Sequence, residues 1–367
     1  MLYLKVISLF SGAGGLDLGL KWAGLDIIFA NDIEKDACET YKKHIGNHVV
    51  TGDVTKLIKD LPNADILVGG PPCQSFSLVG KRKENDPRGD LVFAFLKAIK
   101  QVEPSIFIME NVPGLMASKL NDIKLVEHLK QEYEKMGYTV IILKIDASNY
   151  FVPQKRKRVF MIGQKAGKPF DIEKGKQIVA DKLDLKLTEI ISAKIALGDL
   201  PSAVAKNNDS PQYLEDSTHS YSNFMRKNCE EIVSFQTLPT MSEKDKAFIK
   251  HIPPGGNYMS IPDEISTQRI MNFKKTGGRT TTYGRLHPEN PAYTINTYFN
   301  RPNVGANYHY KEERLITVRE AMRLQSFPDD FSPVFSNQRS LHMQVGNAVP
   351  PILGLVLGES IKISMKQ

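Results

Sequence analysis

The sequence predicts an α/β protein with a sheet of parallel strands, followed by a second and less regular region. Strand and helix patterns alternate over residues 4–162, and a glycine-rich turn directly follows the first strand. After about Gly163 the chain becomes polar and rich in Gly, Pro and Asn, with little periodicity. A length of 367 residues is enough for two to three domain-sized units.

The predicted elements follow one another at the spacing of strand–helix–strand units. Strands are predicted at residues 4–10, 27–30, 49–50, 66–68, 106–109, 140–145 and 159–162. Helices are predicted at residues 16–22, 34–44, 91–100, 120–136 and, with prolines in its first turn, 349–363. Connections of helix length between strands predict a parallel sheet with helices on both faces.

Composition narrows the class of protein. The chain is 41% hydrophobic and 24% charged, with a net charge of +7 that favours a polyanionic partner. Cys38, Cys73 and Cys229 show no CxxC spacing, which argues against a disulfide framework or a zinc site. No apolar stretch approaches the roughly 18 residues of a membrane span. We therefore expect a cytoplasmic protein with no metal site and no membrane contact.

Residues 69–77, Gly-Gly-Pro-Pro-Cys-Gln-Ser-Phe-Ser, are the most informative segment. The apolar run 66–68 predicts a buried strand, and two glycines followed by two prolines predict a stiff turn. Cys73 is thereby held at the carboxyl end of a strand, where an open-sheet α/β enzyme places a nucleophile. The alternative is that Cys73 is an inert, buried apolar residue.

The glycine-rich turn at residues 11–15 indicates a nucleotide-type cofactor. Glycines permit close backbone approach, and the N-terminus of the following helix favours negative charge on a ligand. Asp32, just past the second strand, is placed to accept hydrogen bonds from ribose hydroxyls. The spacing matches neither the dinucleotide fingerprint nor a P-loop. A purely structural turn is the alternative.

Several motifs, in order along nearly the whole chain, resemble the DNA (cytosine-5) methyltransferases of bacterial restriction–modification systems. They are Phe10–Gly15, Asn31-Asp32, Gly52–Val54, Pro71–Gln74, Arg88–Leu91, Glu110–Val112, Gln154–Arg158, Arg319–Asp329 and Gly346–Pro350. The resemblance implies a Rossmann-like methyltransferase domain that uses S-adenosylmethionine, and a smaller target-recognition domain. Residues between Gln164 and Arg314 match the family only in outline.

The resemblance assigns a catalytic role to Cys73, Glu110, Arg158 and Arg156. Cys73 would add to carbon 6 of cytosine, because carbon 5 is a poor nucleophile until a thiolate has added to the ring. Glu110 would act at ring nitrogen 3 and the exocyclic amine, which favours a raised pKa in a dry pocket. Arg158 would hold the carbonyl oxygen at carbon 2. The target base must leave the duplex stack to be reached.

The remaining assignments concern the cofactor and the DNA. The cofactor residues implied by the resemblance are Phe10, Gly12, Gly14, Gly15, Leu16, Asp32, Ile33, Asp53, Val54, Pro71, Leu91, Asn347 and Ala348. Those implied for DNA are Gln74, Ser77, Arg88 and Thr294. Ile33 departs from relatives that stack an aromatic residue on adenine. Candidate base readers in the variable region are Arg269, Arg279, Arg285, Asn300 and Arg301.

The expected domain limits are 1–165 plus 336–367 for catalysis and cofactor binding, 166–310 for target recognition and 311–335 for a bracing segment. The expected substrate is double-stranded DNA, and the protein is expected to be a monomer with any cognate endonuclease acting separately. A tRNA cytosine-5 methyltransferase of the same lineage is the alternative, because it would share the motifs around Cys73 and Glu110. The long variable region favours DNA.

Overall fold

The computed structural model describes residues 4–72, 90–120, 122–205, 211–213, 217–229 and 232–366. It divides into two compact units. The first unit comprises Met1–Asp146, Lys157–Val179 and Leu353–Gln367, and the second comprises Ala147–Arg156 and Ala180–Ile352. Four predicted site residues lie outside the described residues: Cys73, Gln74, Ser77 and Arg88.

The first unit is built on a seven-stranded sheet with strand order β3-β2-β1-β4-β5-β9-β8. Its strands are β1 (Lys5–Leu9), β2 (Asp26–Asp32), β3 (Val49–Thr51), β4 (Ile66–Gly69), β5 (Ile106–Asn111), β8 (Thr139–Asp146) and β9 (Lys157–Gln164). Strand β4 is buried throughout, as its unbroken apolar run predicts. The order reverses between β1 and β4, which creates a crevice at the carboxyl ends of these strands.

Strand direction differs from the sequence prediction on one side of the sheet. Strands β1 to β5 are parallel, but β9 is antiparallel to β5 and to β8. The prediction of an all-parallel sheet is therefore wrong for β9. The connection between β8 and β9 contains only a short 3₁₀ turn, Ala147–Tyr150, and a crossover between parallel strands needs a helix-length link.

Among the residues that the structure describes, six helices contribute to the first unit besides the C-terminal one. They are α1 (Gly15–Trp22), α2 (Lys35–His44), α3 (Val54–Leu57), α4 (Asp90–Val102), α5 (Leu125–Lys135) and α6 (Ile172–Leu183), whose last residues belong to the second unit. The helix predicted at 120–136 begins only at Leu125, because a small hairpin of β6 (Lys119–Leu120) and β7 (Ile123–Lys124) precedes it. One apolar core joins β1, β4, β5, α4 and α5.

The C-terminal helix α13 (Pro351–Met365) packs on α1 through two glycines. A Cβ at Gly354 would lie 2.5 Å from the carbonyl oxygen of Leu16, and one at Gly358 would lie 2.6 Å from the Cβ of Ala23. Such contacts leave no room for a side chain. The Nζ of Lys362 donates to the carbonyl of Ala23 at 2.7 Å, which holds the far end of the same pair of helices.

The second unit is helical and irregular. Its helices are α7 (Ala193–Leu197), α8 (Ser220–Arg226), α9 (Glu243–Ile249), α10 (Gln268–Thr276), α11 (Val318–Leu324) and α12 (Gln338–Asn347). Four of these fall where the sequence shows little periodicity, because helices of five to nine residues span too few turns to reveal a pattern. Helix α6, with 12 residues, also lies in that region. A small core around Phe248, Ile270 and Tyr308 supports α9 and α10.

The stretch 338–365 is long and apolar enough to cross a membrane by length and composition, but 72% of its apolar window is buried inside the protein. The expectation that no stretch approaches that length is therefore wrong. The stretch is interrupted at residues 348–350, and core helices of ordinary globular proteins pass the same test. Its burial identifies it as part of the core.

Candidate active site

The predicted cofactor residues of the first unit follow the carboxyl ends of adjacent parallel strands. Phe10 follows β1, Asp32 ends β2, Asp53 follows β3 and Pro71 follows β4. In-register pairs such as Leu9 with Gly69 bring these ends to one edge of the sheet. Ligands of open α/β sheets bind at this edge, beside the point where the strand order reverses.

The turn between β1 and α1 has one position, Gly14, that accepts only a small residue. Gly14 caps α1 with φ of 86°, and a Cβ there would lie 2.1 Å from Cδ1 of Ile45. Phe10 has a φ of 55°, which is strained for an aromatic residue. Gly12, also in the left-handed region, has open space around its Cα. The geometry fits a turn that a ligand approaches closely.

Asp32 is tied to this turn. Its Oδ2 accepts a hydrogen bond from the amide of Gly12 at 2.7 Å, and its Oδ1 accepts one from the amide of Glu34 at 2.9 Å. Burial raises the pKa of Asp32 above its ordinary value, although both amides oppose the shift. The carboxylate therefore links the end of β2 to the glycine-rich turn.

Asn31 belongs to one of the matched motifs but was given no role of its own, and the structure shows it as a supporting residue. Its buried side-chain amide donates to the carbonyls of Val50 and Gly52, both at 2.9 Å. Gly52, with φ of 157°, leads directly to Asp53. Asn31 thus fixes the turn that carries the predicted adenine-contacting residues.

The other predicted cofactor residues differ in exposure. Ile33 is 69% exposed beside Asp32, as an apolar residue facing a ligand would be, whereas Val54 is buried. The side chain of Asp53 accepts hydrogen bonds from the amide and hydroxyl of Thr55, which lower its pKa. Asn347 and Ala348 lie at the C-terminal end of α12, in the second unit.

Glu110 and Arg158 meet because of the register of β5 and β9. Glu110 pairs with Phe160, so Arg158, two residues away on β9, lies on the same face and diagonally across. The Nε of Arg158 is 2.8 Å from Oε1 of Glu110, and each side chain is only 14% exposed. The structure therefore brings two of the predicted catalytic side chains together in one ion pair.

The turn that leads to Cys73 packs against this pair. A Cβ at Gly70 would lie 3.1 Å from Oε2 of Glu110, so the missing side chain makes room for the carboxylate. The Nδ2 of Asn111 donates to the carbonyl of Pro71 at 2.9 Å, and its Oδ1 accepts from the amide of Val112. Asn111 therefore holds the proline turn beside Glu110, a role that its position next to Glu110 could have indicated.

Arg156 occupies a different environment within the second unit. It is almost completely buried, and its guanidinium donates to the carbonyls of Ile295 at 3.0 Å and Gly346 at 2.8 Å. Thr294, which is exposed, donates its hydroxyl to the carbonyl of Lys155 at 2.7 Å. The segment containing Gln154–Arg156 is thus bound to the segment containing Thr294 and Ile295.

One candidate base reader is excluded by the structure. Arg285 is buried, and its guanidinium donates to the carbonyls of Ile252, His309 and Lys311 at 2.9 to 3.1 Å. Its guanidinium is bound by backbone carbonyls inside the protein and does not face the surface. Arg269, Arg279, Asn300 and Arg301 are exposed. Within the described ranges, no group of three or more His, Cys, Asp or Glu residues could hold a metal ion.

The sheet order and the glycine-rich turn fit the class of Rossmann-like methyltransferases that use S-adenosylmethionine, and the family comparison shows this class. The family model for C-5 cytosine-specific DNA methylases matches residues 4–363. The chain belongs to this family, and it methylates carbon 5 of cytosine in DNA. The predicted family, fold class, activity and methyl donor are confirmed.

The relatives are methyltransferases of the restriction–modification kind. The chain is 33% identical to the type II methyltransferase M.NgoFVII of Neisseria gonorrhoeae, covering 97% of this chain and 86% of the relative. It is 32% identical to M.DdeI of Desulfomicrobium norvegicum, covering 98% and 88%. These relatives do not favour the alternative of a tRNA methyltransferase.

Solved structures share the fold. A prophage-encoded protein of Escherichia coli, described as a DNA modification methyltransferase, aligns with a TM-score of 0.71 and 26% identity, covering 99% of this chain and all of that one. The S. pombe Dnmt2 methyltransferase aligns with a TM-score of 0.58 at 18% identity, covering 99% of this chain and 98% of that one. The second likeness concerns the fold alone.

Proposed function

We propose that this enzyme methylates cytosine through a covalent bond between Cys73 and carbon 6 of the base. The observation that carries the proposal is the Glu110–Arg158 ion pair, packed against Gly70 at the start of the turn that leads to Cys73. A carboxyl group and a guanidinium beside the turn that leads to Cys73 suit the edge of cytosine that carries ring nitrogen 3, the exocyclic amine and the oxygen on carbon 2.

The other two cysteines, Cys38 and Cys229, are poorly suited to act as the nucleophile, which favours Cys73 for that role. Burial raises the pKa of Cys229 to about 11 and raises the pKa of Cys38 above its ordinary value. Both therefore remain protonated near neutral pH, and the thiolate is the nucleophilic form. Cys38 also donates its thiol to the carbonyl of Asp32 at 3.5 Å, which suits a packing role.

Glu110 and Arg158 act on the polar edge of the cytosine ring. When the Sγ–carbon 6 bond forms, negative charge moves onto ring nitrogen 3, where Glu110 supplies a hydrogen bond or a proton. Arg158 donates to the oxygen on carbon 2 and keeps Glu110 in place through their contact. Carbon 5 then gains the nucleophilic character that it lacks in the free base.

The turn between β1 and α1, with Asp32 and Asp53, holds the methyl donor. S-adenosylmethionine supplies an electrophilic methyl group to carbon 5 when it is bound. Asp32 would hold the ribose and Ile33 would cover the adenine, and Pro71 and Leu91 would line the same pocket. After the transfer, loss of the proton from carbon 5 and release of the Cys73 thiol restore the ring's double bond.

The substrate is a specific sequence of double-stranded DNA, from which the target cytosine is flipped. Gln74, Ser77, Arg88 and Thr294 contact the DNA. Arg156 is a positioning residue, because its donors hold Ile295 and Gly346 rather than facing a ligand. The protein acts in the cytoplasm as a monomer and protects host DNA from a separate endonuclease.

Trapping with 5-fluorocytosine tests covalent catalysis. At the target position, fluorine cannot leave carbon 5 as a cation, so the reaction stops with the enzyme bonded to the base. We expect a complex with S-adenosylmethionine present that survives denaturing electrophoresis. Cys73→Ser should lose both the complex and methylation, the latter by at least about a hundredfold, since a hydroxyl is a weaker nucleophile. Cys229→Ser is the matched control and should retain both.

A second experiment tests the role of Glu110 in the Glu110–Arg158 ion pair. Glu110→Gln preserves the size of the side chain but removes its acid, so methyl transfer should fall by about a hundredfold or more. DNA binding without the cofactor should change little. Trapping by Cys73→Ser, or normal turnover by Glu110→Gln, would contradict the mechanism.

A further inference from the structure

Residues 293–304 form a surface segment of the second unit whose base is fixed at several points. The amide of Ile295 donates to Oε1 of Gln154, and its carbonyl accepts from Arg156. Phe299 is 1% exposed and packs edge-on against the ring of His342, with centroids 4.8 Å apart. A Cβ at Gly346 would lie 2.5 Å from the backbone of Asn296, so the two backbones are in close contact.

The outer half of the segment is held by its own hydrogen bonds. Oδ1 of Asn296 accepts from the amide of Tyr298 at 2.7 Å, and the carbonyl of Tyr298 accepts from the amide of Arg301 at 2.9 Å. The carbonyl of Arg301 accepts from Nδ2 of Asn307 at 2.8 Å. The side chains of Tyr298 and Arg301 therefore project from a defined backbone.

These two side chains stack on each other at the surface. Cζ of Arg301 lies 5.0 Å from the centroid of the Tyr298 ring, and Tyr298 is 45% exposed. A cation–π contact of this kind keeps the guanidinium over the ring without using its N–H donors. Within the part of the chain that the structure describes, no carboxylate forms an ion pair with Arg301.

An open guanidinium edge on a rigid surface segment matches the donor pattern that guanine accepts. The major-groove edge of guanine offers O6 and N7, and a bidentate arginine discriminates against other bases by about 1–3 kcal/mol. We propose that Arg301, oriented by Tyr298, reads one guanine of the recognition sequence. The proposal rests on the DNA methylation described above, and it assigns a specificity-determining residue to this chain.

The test separates base reading from simple attraction to phosphate. A duplex library with randomised positions around cytosine is methylated by each variant, and the methylated sequences are identified by bisulfite sequencing. Arg301→Ala should lose preference for guanine at one position by about tenfold or more, while the other positions keep theirs. Tyr298→Ala should weaken the same position less, because the arginine remains but is no longer oriented.

Two further variants make each outcome decisive. Lys244→Ala removes another exposed cation that lies over an aromatic ring, with its Nζ 5.9 Å from the centroid of Phe248, and should leave guanine preference unchanged. Arg301→Lys keeps the charge but loses the planar fork, so it should restore binding strength without full guanine preference. A uniform loss of methylation in Arg301→Ala that lysine repairs would overturn base reading in favour of a phosphate contact.

The result is independent of the covalent mechanism. Wild-type enzyme that fails to methylate any cytosine in the library would refute the activity on which the proposal rests. Wild-type and Arg301→Ala enzymes that methylate the same sequences with the same preferences would refute the role of Arg301 and leave the activity intact. Loss of guanine preference in Lys244→Ala but not in Arg301→Ala would refute the assignment to Arg301.

Discussion

The Nε of Arg158 lies 2.8 Å from Oε1 of Glu110, across the two strands β5 and β9 that run in opposite directions. If β9 ran parallel to β5, Arg158 near the start of β9 would lie at the opposite end of the sheet from Glu110. The two side chains would then not meet. The antiparallel strand therefore supplies a guanidinium at the edge where the parallel strands carry the predicted cofactor residues. The direction of one strand decides the composition of the site.

Gly70→Ala should reduce catalysis without unfolding the protein. Gly70 lies outside the left-handed region, so alanine fits the backbone, but its Cβ would press on Oε2 of Glu110 at 3.1 Å. Displacement of Glu110, the proposed catalytic acid, should lower kcat by about ten- to a hundredfold. Gly114→Ala, whose nearest neighbour would be 3.9 Å away, is the control. Equal kcat values for both variants would show that Glu110 tolerates the contact.

Asp32→Ala should weaken binding of S-adenosylmethionine by on the order of 1–3 kcal/mol, the cost of a lost charged acceptor. Calorimetric titration measures this, and Asp26→Ala at the exposed opposite end of β2 should bind normally. Because burial raises the pKa of Asp32, acidification should weaken cofactor binding at a higher pH than it would if Asp32 had an ordinary pKa. Unaltered affinity in Asp32→Ala would remove this residue from the cofactor site.

Asp17→Asn should change how stability depends on pH. Asp17 is fully buried and accepts a hydrogen bond from Ser8 at 2.7 Å. Burial raises its pKa to about 6, although the hydroxyls of Ser8 and Tyr41 oppose the shift. Between the unfolded pKa near 4 and this value, the folded protein keeps a proton that the unfolded chain loses, so the contribution of Asp17 to stability falls as pH rises.

Asparagine does not ionise, so the Asp17→Asn variant does not show this loss of stability as pH rises. The free energy of unfolding of Asp17→Asn relative to wild type should increase by about 1–2 kcal/mol between pH 5 and pH 8, measured by urea denaturation. The exposed Asp60→Asn should show no such trend. A difference between Asp17→Asn and wild type that stays constant with pH would show that Asp17 is ionised in the folded protein throughout this range.

Asp329→Asn should strongly destabilise the second unit. Asp329 accepts hydrogen bonds from Nε and Nη2 of the buried Arg323 at 2.6 and 2.5 Å. Burial alone would raise the pKa of Asp329, but the charge of Arg323 holds it below the ordinary value. Without the carboxylate a buried guanidinium loses its main counter-charge, which costs about 3–5 kcal/mol.

Urea unfolding of the full chain measures this loss. The neighbouring Asp330 is exposed, so Asp330→Asn is a matched control that should unfold close to wild type. The lowered pKa also implies that the stabilisation from Asp329 is present above the unfolded pKa and is lost as pH falls through the folded one. Nη1 of Arg323 also pairs with Oδ1 of Asp199 at 2.9 Å. Similar stability of the two variants would show that Asp199 alone satisfies Arg323.

The limits of sequence-based prediction are visible in particular elements. Strands β1 to β5 were predictable because each is a short apolar run followed by a turn, and α2 and α4 because their apolar spacing is helical. The direction of β9 was not predicted, since the predicted strands at 140–145 and 159–162 leave about a dozen residues between them, which is compatible with a hairpin or a crossover. Arg285 and Arg301 are chemically identical in the sequence, yet one is buried on backbone carbonyls and the other is exposed.

The sequence by itself determined the family, the methyl donor and which residue types carry the chemistry, because motifs near strand ends are local patterns. Only the tertiary structure decided which of those residues meet. The Glu110–Arg158 pair depends on strand register, the hold of Asn111 on Pro71 joins residues forty positions apart, and the burial of Arg156 comes from its contacts with Ile295 and Gly346. Such contacts join residues far apart in the chain, and no local pattern encodes them.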